Sequence, residues 1–248
     1  MRLKGKAAIV TGAASGFGAG IARRFAQEGA KVLCADINAD AGRRLAAEIG
    51  AEFVHADVTR SADWARVVQG ATSGFGKLDI VVNNAGWTHR KKPYLEVSEA
   101  EFEKVYAVNV KSVYLSALHA LPVFRKLGGG CFVNVASTAG VRPRAGLAVY
   151  NSSKAAVIVM SKTMAAEFGP DRVRVNCVNP VFSPETGLSA EFAGGSLSEE
   201  VKKAYLATIP LGRFSTPLDI ANACLFLASD EAGFISGVCI EVDGARCV

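Results

Sequence analysis

Tyr150 and Lys154 stand four residues apart in a segment of helical period that runs on to Phe168, so their side chains share one face. The two groups are chemically complementary. A tyrosine with an ordinary pKa of about 10 is a poor base at neutral pH, and an enzyme that uses one must favour its phenolate. An ammonium about 4 Å away, at an effective dielectric of about 20, supplies roughly 4 kcal/mol and draws the phenol toward neutral pH. Ser137 follows the apolar run 131–136, where its hydroxyl is placed to hold a substrate oxygen beside Tyr150. Tyr-x-x-x-Lys pairs also occur on many solvated helices, so the surrounding motifs must decide.

A second constellation lies near the start of the chain. The apolar run 7–11 leads into Thr11-Gly12-Ala13-Ala14-Ser15-Gly16-Phe17-Gly18, followed by a helical segment at 19–28. Glycines there permit a tight turn and let backbone N–H groups approach a pyrophosphate at the positive end of a helix. Asp36 closes the second apolar run, 18 residues after Gly18. A carboxylate at that point accepts hydrogen bonds from ribose hydroxyls and repels a 2′-phosphate. No Lys or Arg occupies 13–17 or 37–38 to clamp such a phosphate. The pattern predicts NAD rather than NADP; the competing role for Asp36 is a cap on the helix that begins near Ala39. Asp57 and Val58 end the third run, where they would meet an adenine ring.

These residues need a frame to hold them. Apolar runs at 7–11, 31–36, 52–56, 78–83, 131–136, 174–178 and 238–242 alternate with segments of helical period. Strands that are apolar on both faces belong in a parallel sheet covered by helices. The alternation predicts one α/β domain over 1–248, a Rossmann-like doubly wound parallel sheet with ligands beyond the carboxyl ends of its strands. Gly29 and Gly50 sit where C-terminal helix caps belong, Ser98 with Glu101 reads as a capping box, and Thr216-Pro217 reads as an N-cap followed by a first-turn proline. The stretch 179–197, rich in Gly, Pro and Ser, reads as an irregular lid or binding loop within a substrate-binding region around 179–210. Trp87, Phe182 and the loop 138–147 either line the pocket or simply pack.

Taken jointly, Thr11 to Gly18, Asp57, Asn83-Asn84-Ala85-Gly86, Asn109, Ser137, Tyr150 and Lys154 resemble the short-chain dehydrogenase/reductase family, and the resemblance runs from end to end. It implies that Tyr150 exchanges a proton with the substrate oxygen and that Lys154 holds the nicotinamide ribose while lowering the tyrosine pKa. It further implies that Ser137 orients the substrate and that Asn109, within the helical segment 101–121, anchors a water that passes protons to Lys154. Gly12, Ser15, Gly16, Phe17 and Gly18, with Asn84, Ala85 and Gly86, would line the cofactor, Asn83 would brace the sheet, and the assembly would be a homotetramer. Pro180, Val181 and Thr186 would complete the nicotinamide side. Here the chain departs from the family: Pro-Gly usually follows the sixth strand with a threonine five residues beyond the proline, whereas Pro180-Val181 leaves Thr186 six residues beyond. Asp243-Gly244-Ala245 stands where Asp-Gly-Gly is common.

Bulk properties narrow the alternatives. The 28 Lys and Arg against 23 Asp and Glu are mostly scattered at helical spacing, which argues against a nucleic-acid footprint. Apolar stretches are strand-sized, so no membrane span is expected, and Met1 to Lys6 passes almost directly into a strand with no signal peptide. Six well-separated cysteines without C-x-x-C or zinc-ligand spacing read as buried thiols of a reducing cytoplasm, with no metal site. The expected function is an NAD-dependent oxidoreductase interconverting a secondary alcohol and a ketone. An NADPH-dependent 3-oxoacyl carrier-protein reductase is opposed by Asp36. A non-catalytic dinucleotide-binding protein is opposed by the joint presence of Asn109, Ser137, Tyr150 and Lys154.

Positive charge gathers in two loops that leave the carboxyl edge of the sheet. One is Trp87-Thr88-His89-Arg90-Lys91-Lys92 and the other carries Arg142 and Arg144. Beside an entrance such charge would draw in anions, predicting a negative group on the substrate. The competing reading is ordinary solvated loop charge or subunit contacts.

Overall fold

In the computed structural model, which describes residues 1–195 and 197–248, the seven apolar runs become seven parallel strands. These are β1 (Ala7–Thr11), β2 (Lys31–Asp36), β3 (Glu52–His55), β4 (Ile80–Asn83), β5 (Gly130–Val135), β6 (Val173–Pro180) and β7 (Cys239–Val242). Their order across the sheet is β3-β2-β1-β4-β5-β6-β7. The chain winds outward from the centre in both directions, so the connections after β1 and β4 diverge and open a crevice at their carboxyl ends.

Period-two alternation sends successive strand residues to opposite helical layers. Ala8, Val10, Ile80 and Val82 pack with Phe25 of α1 (Gly16–Gln27) and with Ile220 and Leu225 of α9 (Pro217–Ala228). Ile9, Val81 and Phe132 pack on the other face with Trp64 of α3 (Ser61–Phe75), Phe124 of α5 (Ser112–Leu127) and Val157 of α6 (Ala148–Phe168). The remaining helices are α2 (Ala39–Ile49), α4 (Glu99–Tyr106), α7 (Ser189–Ala193) and α8 (Glu199–Leu206).

The predicted caps form. Ser98 and Glu101 make both halves of the capping box on α4, and Thr216 makes another on α9 with Asp219. Gly50 caps α2 with a φ of 66°, and Gly29 takes a φ of 86° just beyond α1. Ala245 departs from this economy with a φ of 71°. A Cβ in the left-handed region costs about 1–2 kcal/mol, which a glycine at that position avoids.

Two boundaries near the site differ from the sequence reading, and one helical segment carries an irregular turn. The stretch 179–197 is not irregular throughout: Asn179 and Pro180 pair with Glu241 and Val242 and so complete β6, and α7 forms farther on. The third strand stops at His55, leaving Asp57 and Val58 in the turn beyond, where Asp57 accepts a hydrogen bond from Thr59 N at 2.9 Å. The segment 101–121 lies within unbroken helical backbone from Glu99 to Leu127, with a π-helical turn at Ala107–Lys111 between α4 and α5. Such turns sit inside α-helices, often at functional sites, and Asn109 lies inside this one.

Candidate active site

A buried polar seam sets the rotation of α6, and with it the aim of Tyr150 and Lys154. Asn83 Nδ2 donates to Ser116 Oγ and to Asn134 Oδ1, both at 2.8 Å. Asn134 Nδ2 donates in turn to Ser161 Oγ at 2.7 Å. The seam joins β4, β5, α5 and α6 through buried amides, with Asn83 Oδ1 left without a partner, and its directional bonds favour one register. Asn83 thus braces the sheet, as the family resemblance implies.

Tyr150 and Lys154 emerge from α6 into a cleft, only 5% and 4% exposed. Ser137 enters from the turn after β5, its Oγ accepting from Ala139 N at 3.1 Å, which leaves its own proton free to donate. Burial pushes the Tyr150 phenol up to about 12, while the adjoining Ser137 hydroxyl and Arg144 hold it down by lesser amounts. The same dryness draws Lys154 down to about 8. Its Nζ donates to the Val135 carbonyl at 2.9 Å and lies 5.8 Å from the Tyr150 ring centroid. The expectation that Lys154 brings the phenol toward neutrality is therefore corrected: Lys154 is not among the groups that act on the phenol, and burial, which takes water from both, is the largest influence on each.

Lys154 makes the pH dependence of folding a direct test. Its contribution to stability is fully present above its ordinary value of 10.5 and is lost as pH falls through about 8, because the unfolded amine takes up the proton first. In cofactor-free urea unfolding between pH 7 and 10, the wild type should gain about 2 to 3 kcal/mol relative to Lys154→Met. A constant difference across that range would mean that the amine is not buried as described.

Asn109 sits behind the cleft rather than on its wall, with Oδ1 accepting from Trp87 N at 2.8 Å. Its Nδ2 donates to Trp87 O and to Ser153 Oγ, both at 2.9 Å. The amide, presented from within the π-helical turn, thus clamps the loop after β4 to α6. Gly86 fits against this clamp: a Cβ there would lie 3.5 Å from Asn109 Oδ1 and 3.6 Å from Lys154 Nζ.

At the other end, Gly12, Ser15, Gly16 and Phe17 line the same cleft, as do Asp36, Asp57 and Val58. Gly12 and Gly16 take φ values of 63° and 53°, a turn that a side chain would strain. Gly18 does not line the cleft; it packs the start of α1 onto the Gly12 carbonyl. Asp36 Oδ2 accepts from Ala14 N at 2.9 Å and Oδ1 from Asn38 N at 2.8 Å. The cap on α2 is Asn38, which accepts from Ala41 N at 3.1 Å, so the capping role is taken and Asp36 keeps lone pairs facing the cleft. Asn84, Ala85, Gly86, Pro180, Val181 and Thr186 also line it. Thr186 Cα lies 3.5 Å from where a Gly16 Cβ would be, so the one-residue displacement of this threonine leaves it beside the glycine turn.

The cavity these residues enclose is about 470 Å³, within the range of small-molecule and cofactor sites. Its shape fits a dinucleotide, with glycines at close backbone approach, an acid at one end and the phenol at the other. Of the two readings left open for them, Trp87, Phe182 and Leu147 take the first and line it. Phe192 was not foreseen: α7 brings its ring 5.0 Å from that of Tyr150 in an edge-to-face contact. The i, i+4 pair Leu188 and Phe192 in the stretch read as a loop was the available signal. Of the basic loop residues, Lys92 is paired with Glu101 at 2.7 Å and His89 is buried, while Arg90 and Lys91 are exposed, so only part of that run is solvated charge. Among the described residues no three His, Cys, Asp or Glu cluster to hold a metal, and no helix is long and apolar enough to cross a membrane.

Comparison with known proteins agrees with this geometry. A family model described as enoyl-(acyl carrier protein) reductase matches residues 12–245. The chain is 52% identical to 4-formylbenzenesulfonate dehydrogenase of Comamonas testosteroni, covering 99% of each protein. It is 40% identical to 2,5-dichloro-2,5-cyclohexadiene-1,4-diol dehydrogenase of Sphingobium indicum, covering 100% of this chain and 98% of that one. The crystal structure of a 3-ketoacyl-(acyl-carrier-protein) reductase from Brucella melitensis complexed with NADH superposes with a TM-score of 0.94 at 41% identity, covering 99% of this chain and 100% of that chain. With a doubly wound sheet, a glycine turn after β1 and relatives that match over their whole length, this chain belongs to the short-chain dehydrogenase/reductase family of oxidoreductases.

Proposed function

We propose that the protein is an NAD-dependent oxidoreductase that interconverts a secondary alcohol and the corresponding ketone, with Tyr150 exchanging the proton on the substrate oxygen. The observation that carries the reading is convergence: Ser137, Tyr150 and Lys154 line one cleft with the glycine turn and Asp36. A bound nicotinamide supplies the hydride acceptor or donor. In the reducing direction the protonated phenol of Tyr150 donates to the carbonyl oxygen, and the free proton of Ser137 holds that oxygen in place. In the oxidising direction Tyr150 must accept a proton, and Ser137 stabilises the phenolate against its burial. Asn109 acts as a positioning residue, its side chain engaged by Trp87 and Ser153. Gly12, Ser15, Gly16 and Phe17 cradle the pyrophosphate, Asp57 and Val58 flank the adenine, and Pro180, Val181 and Thr186 approach the nicotinamide. The same reading includes a homotetramer in the cytoplasm.

Support for the reaction class comes from a relative named for a ring diol, whose carbinols are secondary; the relative named for a formylated ring is also a dehydrogenase, but the substrate in its name is an aldehyde. Support for NAD comes from Asp36 and from a neighbour solved with NADH. The competing reading, an NADPH-dependent 3-oxoacyl carrier-protein reductase, has that neighbour's name in its favour and Asp36 against it. The test is catalytic efficiency with each cofactor on one substrate. NAD should win by about 100-fold, since a 2′-phosphate against a carboxylate costs several kcal/mol, and Asp36→Ala should narrow the ratio at least about tenfold. Preference for NADP, or greater efficiency on an acetoacetyl thioester with NADPH, would reverse the assignment.

A further inference from the structure

Arg144 precedes α6 by a short turn and is held there by backbone: its carbonyl accepts from Asn151 Nδ2 at 2.8 Å, and Asn151 is itself buried on α6. The half-buried side chain lines the cleft. Its guanidinium carbon lies 4.4 Å from the centroid of the Tyr205 ring, a cation–π contact that fixes its plane. The groups acting on it are Arg246, Tyr205, Tyr150 and Cys247, and no carboxylate is among them. Burial and the neighbouring Arg246 draw it down to about 10, so it stays cationic at neutral pH. A desolvated guanidinium offers five N–H donors in a planar fork, and among the described residues none is taken by an acid.

Of the other basic residues of these loops, three are committed and Lys91 is exposed to solvent. Arg142 donates to the Arg246 carbonyl, Arg90 to the Gly194 carbonyl, and Lys92 to Glu101. Lys104 stands at the rim, 4.3 Å from the Trp87 ring centroid. Between Tyr150 and Arg144 the wall is aromatic. Phe192 touches Tyr150 with ring centroids 5.0 Å apart, Phe182 follows at 6.4 Å, and Tyr205 stacks on Phe182 at 4.2 Å and carries Arg144. The cleft therefore offers a proton-transfer group, flat apolar surfaces beside it, and in the same wall a cation with no acidic partner among the described residues.

We propose that Arg144 is an anion anchor, so that the alcohol or carbonyl compound processed here carries a carboxylate or sulfonate on a ring whose reacting carbon lies at Tyr150. This rests on the reading of the cleft as an oxidoreductase site and narrows its substrate class. A bidentate pair with Arg144 fixes the far end of the ring and leaves the reacting carbon beside the phenol.

Two measurements separate the anchor from the activity. The first is binding of benzenesulfonate to NADH-saturated protein, followed calorimetrically for the wild type, Arg144→Met and Arg144→Lys. Charge-assisted hydrogen bonds predict a Kd raised about 10- to 100-fold in Arg144→Met and partly restored in Arg144→Lys, with NADH affinity held in all three. No binding to the wild type, or equal binding to the wild type and Arg144→Met, overturns the anchor. The second is the ratio of kcat/KM for 4-(1-hydroxyethyl)benzenesulfonate to that for 1-phenylethanol. It should exceed about 30 in the wild type and approach unity in Arg144→Met, the change residing mainly in KM. A ratio near unity in the wild type overturns the substrate class. If neither alcohol is oxidised while benzenesulfonate binding still depends on Arg144, the alcohol–ketone reading fails and the anchor stands.

Discussion

Tyr150→Phe should lower turnover by about 10³-fold or more while NADH binds as it does to the wild type. Positioned acid–base groups contribute about 10²- to 10⁴-fold, and among the described residues that line the cleft Tyr150 is the one phenol, beside Ser137. The variant deletes one oxygen and leaves the ring, whose edge-to-face contact with Phe192 at 5.0 Å holds its position. The fold should therefore be undisturbed. Steady-state rates with NADH titration by fluorescence provide the check: a variant retaining a tenth of wild-type turnover would place proton transfer on another group. The high resting pKa strengthens the expectation for reduction, since a phenol near 12 is fully protonated and ready to donate at neutral pH.

Gly18→Ala should have the other large effect, although Gly18 does not touch the cleft. Its Cβ would be driven into the Gly12 carbonyl and would lie 2.5 Å from Asn84 Nδ2. Neither neighbour can yield cheaply. Asn84 Nδ2 donates to Thr11 O at 2.9 Å and to Gly12 O at 3.2 Å, tying the turn after β1 to the loop after β4. Forcing α1 away from that turn should cost about 3 kcal/mol, a fall in Tm of about 6–12 °C for a chain of this size, and should weaken NADH binding about 100-fold. Gly169→Ala, whose Cβ meets nothing within 4 Å, is the reference substitution. Thermal melts and NADH titrations of the pair decide the matter; equal affinity for NADH in both would remove Gly18 from the cofactor site.

Much of the site was legible because its chemistry is encoded locally. The helical spacing of Tyr150 and Lys154, the strand–glycine–helix order around Gly12, and the acid at the end of the second strand all concern residues near one another in the chain. The caps at Ser98, Thr216 and Gly50 form for the same reason: a cap answers to the few backbone groups beside it. The misreadings lie where a distant partner decides. Asn179 and Pro180 join a strand because β7, more than 55 residues later, presents Glu241 and Val242 to them. The π-helical turn at Ala107–Lys111 was not foreseen, and its Asn109 is held by the backbone of Trp87.

The amino-acid sequence by itself determined the layered α/β architecture, the glycine turn and the common face of Tyr150 and Lys154, because periodicity and turn chemistry need only short stretches of chain. Tertiary structure alone decided the protonation bias of that pair. Charge spacing along a helix predicts a lowered phenol, but the surrounding layers remove water from both groups and push the phenol up and the amine down. It also decided which cation is left uncommitted. Arg142 and Lys92 look like Arg144 in the chain, yet a carbonyl of Arg246 and the carboxylate of Glu101 occupy them. Arg144 instead lies on Tyr205 with no acid among the groups that act on it. Pairing and desolvation depend on what folding brings alongside, and that is set by contacts between residues far apart in the chain.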